Sequence, residues 1–302
     1  MTEAPWSHTP VMAGEVMALL GAAPGHFLAD LTVGAGGHAA AFLRATAPTG
    51  TVCACDRDRR ALDLARARLE EEGLASRARF VQGTFTECLA QLAAGERRPD
   101  AVLIDLGVSS MQLDDPGRGF SLRSDGPLDM RMDETRGETA SHFLQHARQS
   151  ELEQAFGELG GEPSAQKIAR ALVERRTQRP FRSTGDLRSF LETVLGRRGG
   201  KIHPATRTFQ GLRMAVNREL PQLTEALPAA LAALAEGGRL AVISFHSGED
   251  RLVKAFMQSA AARGHELLTR KAVQPSREES RSNRRSRSAR LRVLRKSARD
   301  SA

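Results

Sequence analysis

Glycines and an aspartate at a characteristic spacing are the residues of this sequence that most clearly suggest chemistry. Gly34-Ala35-Gly36-Gly37 follows an apolar run and precedes a helical pattern, and Asp56 comes directly after the next apolar run. A glycine turn of this kind lets a ligand approach the bare backbone and directs helix N–H groups at it. An acid at the end of the following strand can accept hydrogen bonds from both hydroxyls of a ribose. Together these features predict a site for a cofactor that contains adenosine.

Two further acids help to choose among such cofactors. Asp30 precedes the glycines, and Asp105 lies at the end of a later apolar run, before a polar turn. An acidic pocket suits a sulfonium cofactor with an ammonium tail, such as S-adenosyl-L-methionine, better than it suits a pyrophosphate. The spacing Gly34-x-Gly36-x-x-Ala39 still satisfies the relaxed dinucleotide pattern, so a nicotinamide cofactor remains an alternative. Both acids could also serve only as helix caps or loop acceptors.

The segments that must position these residues alternate between strands and helices. Strands are predicted for the apolar runs at 26–33, 51–55, 79–82, 101–106 and 239–245. Helices are predicted at 38–46, 59–72 and 249–263, and residues 266–272 could pair with 290–295 as a closing hairpin. This alternation is typical of an α/β protein with a doubly wound, Rossmann-like sheet.

The alternation stops from about residue 112 to residue 208. A loop rich in Gly, Pro and Asp at 114–133 precedes helical patterns at 140–144, 150–159, 165–176 and 184–195. We therefore expect an inserted helical domain that recognises the substrate. The predicted division is 1–111 for the first part of the α/β domain, 112–208 for the insertion and 209–302 for the second part.

The composition indicates a basic protein with an acidic partner. The chain has 302 residues, a formal net charge of +8 and an isoelectric point of about 10.3. Nucleic acid is the partner that this charge favours, with a general arginine bias as the alternative explanation. We expect a cytoplasmic protein without signal peptide, membrane span or metal site. Cys53, Cys55 and Cys88 are expected to be buried free thiols.

Polar side chains near the C-terminal half suggest a surface for this partner. Four of them share one stripe of a predicted amphipathic helix: Thr206, Gln210, Arg213 and Asn217. That stripe could face an active cleft or only solvent. His246 follows the fifth predicted strand and could touch a substrate base or serve a structural role. Arginines dominate residues 281–292, where they suit contact with phosphates or form a solvated tail.

Three long motifs carry more specific information. The first begins at Asp105-Leu106-Gly107-Val108-Ser109-Ser110 and continues to Met132. The second runs from His203 to Gln210, and the third is Ser244-Phe245-His246-Ser247. Together they resemble the MraW/RsmH family, and the resemblance runs from His8 to the arginine-rich end. It implies a class I methyltransferase sheet with a helical insertion and S-adenosyl-L-methionine as cofactor. The implied reaction is N4-methylation of a cytidine in the decoding region of small-subunit (16S) ribosomal RNA.

The resemblance also implies roles for individual residues. Cofactor contacts are expected at Gly36, Gly37, His38, Asp56, Phe85, Asp105 and Gln112. Asp105 is the main catalytic candidate, because an acceptor that binds a hydrogen of N4 can make that amine more nucleophilic and can receive its proton. His246 and Asn217 are further catalytic candidates. Candidate contacts to RNA are Arg118, Arg207, Arg213, Arg285 and Arg287.

Other functions and substrates stay open on the sequence alone. One alternative is an NAD-dependent oxidoreductase on the same fold. Another is a ribosome-assembly factor without catalysis that keeps a vestigial site. The substrate could be naked RNA or the assembled small ribosomal subunit, and the oligomeric state, a dimer included, is left open.

Overall fold

A single mixed sheet forms the centre of the first of two compact units. The computed structural model describes residues 9–196 and 203–298, so His8 lies outside it. The strands within this part are β1 (Phe27–Asp30), β2 (Thr51–Asp56), β3 (Ala78–Gln82), β4 (Ala101–Asp105), β5 (Arg239–Ser244), β6 (Glu266–Leu267) and β7 (Arg290–Arg295). Their order is β3-β2-β1-β4-β5-β7-β6, and β7 is antiparallel to both of its neighbours. The first five strands, β1 through β5, are all parallel to their neighbours among these five, which confirms the predicted doubly wound, Rossmann-like α/β sheet.

Helices connect these strands and fill the second unit. In chain order the α-helices are α1 (Ala13–Leu20), α2 (Gly37–Ala45), α3 (Arg59–Glu71), α4 (Phe85–Ala93), α5 (Ser110–Asp114), α6 (Ala140–His146), α7 (Gln149–Gln154), α8 (Ala165–Arg176), α9 (Thr184–Leu195), α10 (Thr206–Val216), α11 (Glu219–Ala233), α12 (Ser247–Ala262) and α13 (Arg277–Ser282). Among the helices that the structure describes, none is long and apolar enough to cross a membrane.

Neighbouring strand residues pack on opposite faces of the sheet. Leu28 and Leu103 join the core formed with α1, α2 and α3, whereas Ala29 and Ile104 join the core formed with α4, α11 and α12. A strand buried on both faces must be apolar at every position, which explains the continuous apolar runs of the sequence. Cys53, Cys55 and Cys88 are buried free thiols, as expected.

Local sequence signals determine where the helices beside the site begin. Thr84 and Glu87 form a reciprocal capping box at α4. The carboxylate of Asp58 accepts a hydrogen bond from the N–H of Arg60 at the start of α3. These caps fix the helix starts directly after β3 and β2, where the site residues lie.

The second unit, Val108–Leu220, has its own helical core. Apolar side chains of α6, α8, α9 and α10 pack there with Phe120 and Leu128 from the loop before α6. The predicted insertion, 112–208, is shorter at both ends than this unit. At the C-terminal end the difference arises because α10 buries Phe209 and Leu212 in the helical core, and at the N-terminal end because Val108 packs against that core.

Two predicted elements differ in detail from the structure. The helix predicted at 150–159 is α7 followed by a π-helical turn, Ala155–Leu159. The closing hairpin forms, but β6 covers only Glu266–Leu267 and a single bridge joins Val273 to Leu291. The chain between them pairs too irregularly to continue the strand.

Candidate active site

Three aspartates lie at one edge of the sheet. Asp30, Asp56 and Asp105 are the last residues of β1, β2 and β4. These strands are neighbours in the order β2-β1-β4. Ligands of open parallel sheets bind beyond the carboxyl ends of the strands. The three acids singled out from the sequence therefore meet where a cofactor site is expected.

The glycine turn between β1 and α2 lies against Asp56 and helix α3. The N–H of Gly34 donates a hydrogen bond to Oδ2 of Asp56 over 3.0 Å. Gly36 has a φ of +79°, and a Cβ at this position would lie 3.2 Å from Cα of Ala65 in α3. Only glycine satisfies both restrictions. Gly37 begins α2, and the N–H groups of a first helical turn have no partner within the helix.

Asp56 is held by the backbone but keeps free acceptor positions. Its Oδ1 accepts a hydrogen bond from the N–H of Asp58 over 2.9 Å, and its Oδ2 accepts the bond from Gly34. Burial raises the pKa of Asp56 to about 6, although these two hydrogen bonds oppose the rise. Each carboxylate oxygen offers two acceptor positions. The side chain can therefore still accept hydrogen bonds from the two hydroxyls of a ribose.

Asp30, His38 and Asp105 form a polar cluster beside the glycine turn, in which Asp30 and His38 are buried and Asp105 is partly exposed. Oδ2 of Asp105 lies 3.6 Å from Nε2 of His38, and Oδ1 of Asp30 accepts a hydrogen bond from the N–H of Thr32 over 3.1 Å. Asp30 is 1% exposed and His38 is 5% exposed. Four buried atoms have no hydrogen-bond partner among the described residues: Oδ2 of Asp30, Oδ1 of Asp105 and both ring nitrogens of His38. Because unsatisfied buried polar groups are costly, the cluster favours binding of a polar ligand.

Burial and neighbouring charges shift the protonation of this cluster. Burial raises the pKa of Asp30 to about 7, and His38 partly opposes this rise. Burial lowers the pKa of His38, but the close contact with the Asp105 carboxylate and the negative charges of Asp105, Asp30 and Glu279 outweigh it, so the pKa of His38 is raised overall. A bound cation would lower the pKa of Asp30 again. Binding of a cation at this cluster should therefore release a proton.

Phe85 and Gln112 both lie in the first turn of a helix. Phe85 begins α4 shortly after β3 and is half-buried against the core formed with α4, α11 and α12. Gln112 belongs to the second unit and is 4% exposed. Its Oε1 accepts a hydrogen bond from the N–H of Ser109 over 3.0 Å, which makes it part of the capping box of α5. The contacts of Phe85 and Gln112 with a cofactor stay predictions.

His246 has a structural role at the start of α12. Its Nδ1 accepts hydrogen bonds from the N–H groups of Gly248 and Glu249 over 3.2 and 3.4 Å. Its Nε2 lies 2.9 Å from Oε1 of Glu249, but without the angle of a hydrogen bond. The ring thus caps a helix, and its contact with a substrate base stays a prediction.

Asn217 and Arg213 are engaged within the second unit. The side-chain amide of Asn217 donates to the carbonyl of Met130 over 2.7 Å and accepts from the N–H of Met132 over 2.8 Å. The guanidinium of Arg213 forms a two-point pair with the carboxylate of Glu219 at 2.7 and 2.8 Å. Asn217 therefore fixes the loop before α6, and any role of either residue toward substrate stays a prediction.

The structure corrects the prediction that Arg118 contacts RNA. The side chain is 1% exposed, and its Nη2 donates to the carbonyls of Arg131 and Met132, each over 3.0 Å. A guanidinium enclosed in this way cannot reach a phosphate. Arg118 instead ties the start of the loop at 114–133 to its end.

The remaining candidate arginines are more accessible. Arg207 in α10 and Arg287 near β7 are exposed, and Arg285 is half-buried. Nε of Arg287 donates to the carbonyl of Ser280 over 2.9 Å, which leaves its other N–H groups for a partner. Contact of these three side chains with RNA stays a prediction.

Two residues near the site were not identified from the sequence. Oγ1 of Thr32 accepts a hydrogen bond from the N–H of Asp105 over 2.6 Å, so it fixes the end of β4 beside β1. Glu279 lies in the arginine-rich end of the chain, and its negative charge raises the pKa of His38. A hydroxyl between an acid and a glycine turn could have indicated Thr32. Nothing in the local pattern indicates Glu279.

Metal ligation finds no support in the described ranges 9–196 and 203–298. They contain no group of three or more His, Cys, Asp or Glu side chains that could hold a metal ion.

Comparison with known proteins places the chain among methyltransferases. It is 45% identical over 291 residues to the Ribosomal RNA small subunit methyltransferase H of Sorangium cellulosum, covering 96% of this chain and 90% of the relative. It is 46% identical over 286 residues to the protein of that name from a Cyanothece species, covering 95% and 93%. The crystal structure of an rRNA methylase from Streptococcus thermophilus aligns with 95% of this chain and 94% of that one, at 12% identity and a TM-score of 0.42. The fold class follows from the strand order of the sheet.

A family-wide comparison gives the same assignment over nearly the whole length. The profile of the MraW methylase family matches residues 5–297, which include the acids, the glycine turn and the helical unit. On this match and on the two relatives, the chain belongs to the MraW methylase family.

Proposed function

We propose that this protein transfers a methyl group from S-adenosyl-L-methionine to N4 of a cytidine in the decoding region of small-subunit (16S) ribosomal RNA. Membership of the MraW methylase family supports methyl transfer. The name of the relatives, Ribosomal RNA small subunit methyltransferase H, supports the ribosomal substrate. The resemblance of the motifs that begin at Asp105, His203 and Ser244 to the MraW/RsmH family supports N4 of cytidine as the acceptor. A ribosomal substrate implies a cytoplasmic protein.

The observation that carries the proposal is the pair of carboxylates at the ends of β1 and β4, each of which has one buried oxygen without a hydrogen-bond partner among the described residues. S-Adenosyl-L-methionine carries two positive charges, on its sulfonium and its amino group, and carboxylates compensate such charges well. The pyrophosphate of a dinucleotide would be repelled by the same groups. These carboxylates therefore fit S-adenosyl-L-methionine better than they fit a nicotinamide cofactor.

Each residue at this edge would bind a different part of the cofactor. When bound, S-adenosyl-L-methionine supplies an electrophilic methyl group. Asp56 would accept hydrogen bonds from the ribose hydroxyls, and Oδ2 of Asp30 would accept one from the amino group. A protonated His38 would donate to the carboxylate of the methionine part. Phe85 would cover the apolar face of the adenine.

Asp105 is the residue that would act on the acceptor. N4 of cytosine is a poor nucleophile because its lone pair is delocalised into the ring. The side chain of Asp105 is 23% exposed at the end of β4, and its carboxylate would accept a hydrogen bond from N4. That bond favours rotation of the amine and localises its lone pair. The same carboxylate would then hold the proton that N4 loses.

Asn217 and His246 would act on the substrate through the backbone elements they fix. Asn217 holds the peptide groups of Met130 and Met132, so it would shape the loop at the end of the first family motif. One edge of the His246 ring caps α12, and the other edge would contact the substrate base. Exposed Arg207 and Arg287 would neutralise phosphates of the RNA.

A base-resolved methylation assay tests the proposal. Small-subunit RNA from cells with and without the gene is digested, and methylated nucleosides are identified by mass spectrometry. We expect N4-methylcytidine in the decoding region only when the gene is present. Its presence without the gene, or a different methylated nucleoside, would overturn the proposed reaction.

Variants of two aspartates separate catalysis from the alternatives. Asp105→Asn should lower the methylation rate by at least about 100-fold. Asp63→Asn, which removes an exposed carboxylate on α3, should leave the rate unchanged. Equilibrium binding of NAD instead of S-adenosyl-L-methionine would favour the oxidoreductase. Two results together would favour the alternative of a ribosome-assembly factor without catalysis. The wild type would produce no modified base, and an Asp105→Asn protein would still fully restore ribosome assembly.

A further inference from the structure

The backbone of Met12 adopts a conformation that needs support from elsewhere in the chain. Met12 precedes α1 with φ of +53° and ψ of +37°, in the left-handed region that residues with a Cβ rarely adopt. It is fully buried, so its N–H cannot donate a hydrogen bond to water. This N–H donates to Oε1 of Glu279 over 2.7 Å. A carboxylate from the C-terminal region thus satisfies a buried donor in a strained residue.

The segment before Met12 lies directly on the first turn of α2. A Cβ on Gly37 would lie only 3.0 Å from Cβ of Pro10, so the proline ring covers this glycine closely. Because only Val11 separates Pro10 from Met12, a tie at Met12 limits the movement of Pro10 beside the cofactor site. Nδ2 of Asn283 donates to the carbonyl of Thr9 over 3.3 Å and provides a second tie.

Glu279 and Asn283 both belong to the arginine-rich segment, which we define as residues 277–288. It contains α13 and the short turn Arg284–Ser288. Five of its side chains are arginines: Arg277, Arg281, Arg284, Arg285 and Arg287. The residues that tie down the 9–12 segment thus lie among these arginines.

We infer that Glu279 is a positioning residue that holds the 9–12 segment against the start of α2 and so links the arginine-rich segment to the cofactor site. RNA phosphates bound by these arginines would then order the segment and tighten cofactor binding. By reciprocity, cofactor would tighten RNA binding to the same degree. The effect on cofactor rests on the proposed function, whereas the hold of Glu279 on Met12 does not.

Hydrogen exchange and calorimetry on three variants test the inference. Glu279→Ala should speed amide exchange in the peptide that covers residues 9–20 about tenfold or more, in protein without cofactor. It should weaken binding of S-adenosylhomocysteine by about 5- to 30-fold. Glu278→Ala removes the same charge from an exposed position of the same helix and should change neither quantity. Glu279→Gln keeps a neutral acceptor and should give intermediate values.

The outcomes are distinguishable. Unchanged exchange at residues 9–20 in Glu279→Ala would overturn the hold on Met12. Faster exchange with unchanged affinity would overturn the link to the cofactor site. Equal effects in Glu278→Ala would mean that the loss of one negative charge explains the changes, and this would also overturn the inference. If the alanine variant does not fold, the glutamine variant decides by the same criteria. Failure of the wild type to bind S-adenosylhomocysteine would contradict the proposed function, and the exchange measurement would still decide the role of Glu279.

Discussion

Replacement of Asp30 by Asn should make the protein more stable and less able to bind its cofactor. Asp30 is 1% exposed, and burial raises its pKa from 3.8 to about 7. The folded protein therefore binds a proton more tightly than the unfolded chain does, so wild-type stability is lost as the pH rises from about 4 through about 7. A shift of this size corresponds to roughly 4 kcal/mol at pH 8 as an upper limit.

An asparagine at this position does not titrate and retains one oxygen for the N–H of Thr32. We expect Asp30→Asn to raise the free energy of unfolding by about 1–3 kcal/mol at pH 8, less than the limit because the new amide also needs partners. The gain should disappear near pH 4. Affinity for S-adenosyl-L-methionine should fall about 10-fold or more, since a charged acceptor for the amino group is lost.

Urea unfolding at several pH values, without cofactor, measures the first effect, and calorimetric titration measures the second. Wild-type affinity should itself weaken below pH 7, by up to about tenfold per pH unit, because Asp30 must release its proton to bind a cation. A stability difference between wild type and variant that is the same at pH 4 and pH 8 would refute this account of Asp30.

Other substitutions test separate features of the protein. Asp56→Ala should weaken binding of S-adenosyl-L-methionine about 10- to 150-fold by calorimetry, and unchanged affinity would refute the ribose assignment. Gly36→Ala should destabilise the protein by more than Gly73→Ala in urea unfolding, because both have positive φ but only Gly36 is also in close contact; equal losses would contradict this. Arg118→Ala should cost roughly 3 kcal/mol of stability, since the side chain is buried, whereas Arg287→Ala should lower the slope of RNA affinity against salt by about 1. The reverse pattern would contradict the correction of Arg118.

The architecture was largely predictable because its causes are local. Strands buried on both faces require continuous apolar runs, and those runs identified β1, β2, β4 and β5. The predicted helices at 165–176 and 184–195 coincide with α8 and α9, whose apolar residues repeat at helical spacing. Acids that end parallel strands meet by topology alone, so the cluster of Asp30, Asp56 and Asp105 could be anticipated.

The side-chain environments were less predictable because they depend on distant contacts. The sequence indicates that Arg118 is basic, but its burial depends on two carbonyls of a loop that folds back on it. Asn217 looked like part of an exposed polar stripe, yet its side-chain amide forms hydrogen bonds to residues more than eighty positions away. Glu279 and Met12 are separated by 267 positions, and no local pattern can reveal such a pair.

A crystal structure with S-adenosylhomocysteine would test the central claim most directly. The account predicts the ligand at the carboxyl ends of β1, β2 and β4, with its ribose hydroxyls on Asp56 and its amino group within hydrogen-bond distance of Asp30. An empty edge at saturating ligand, or a ligand bound elsewhere on the protein, would contradict it.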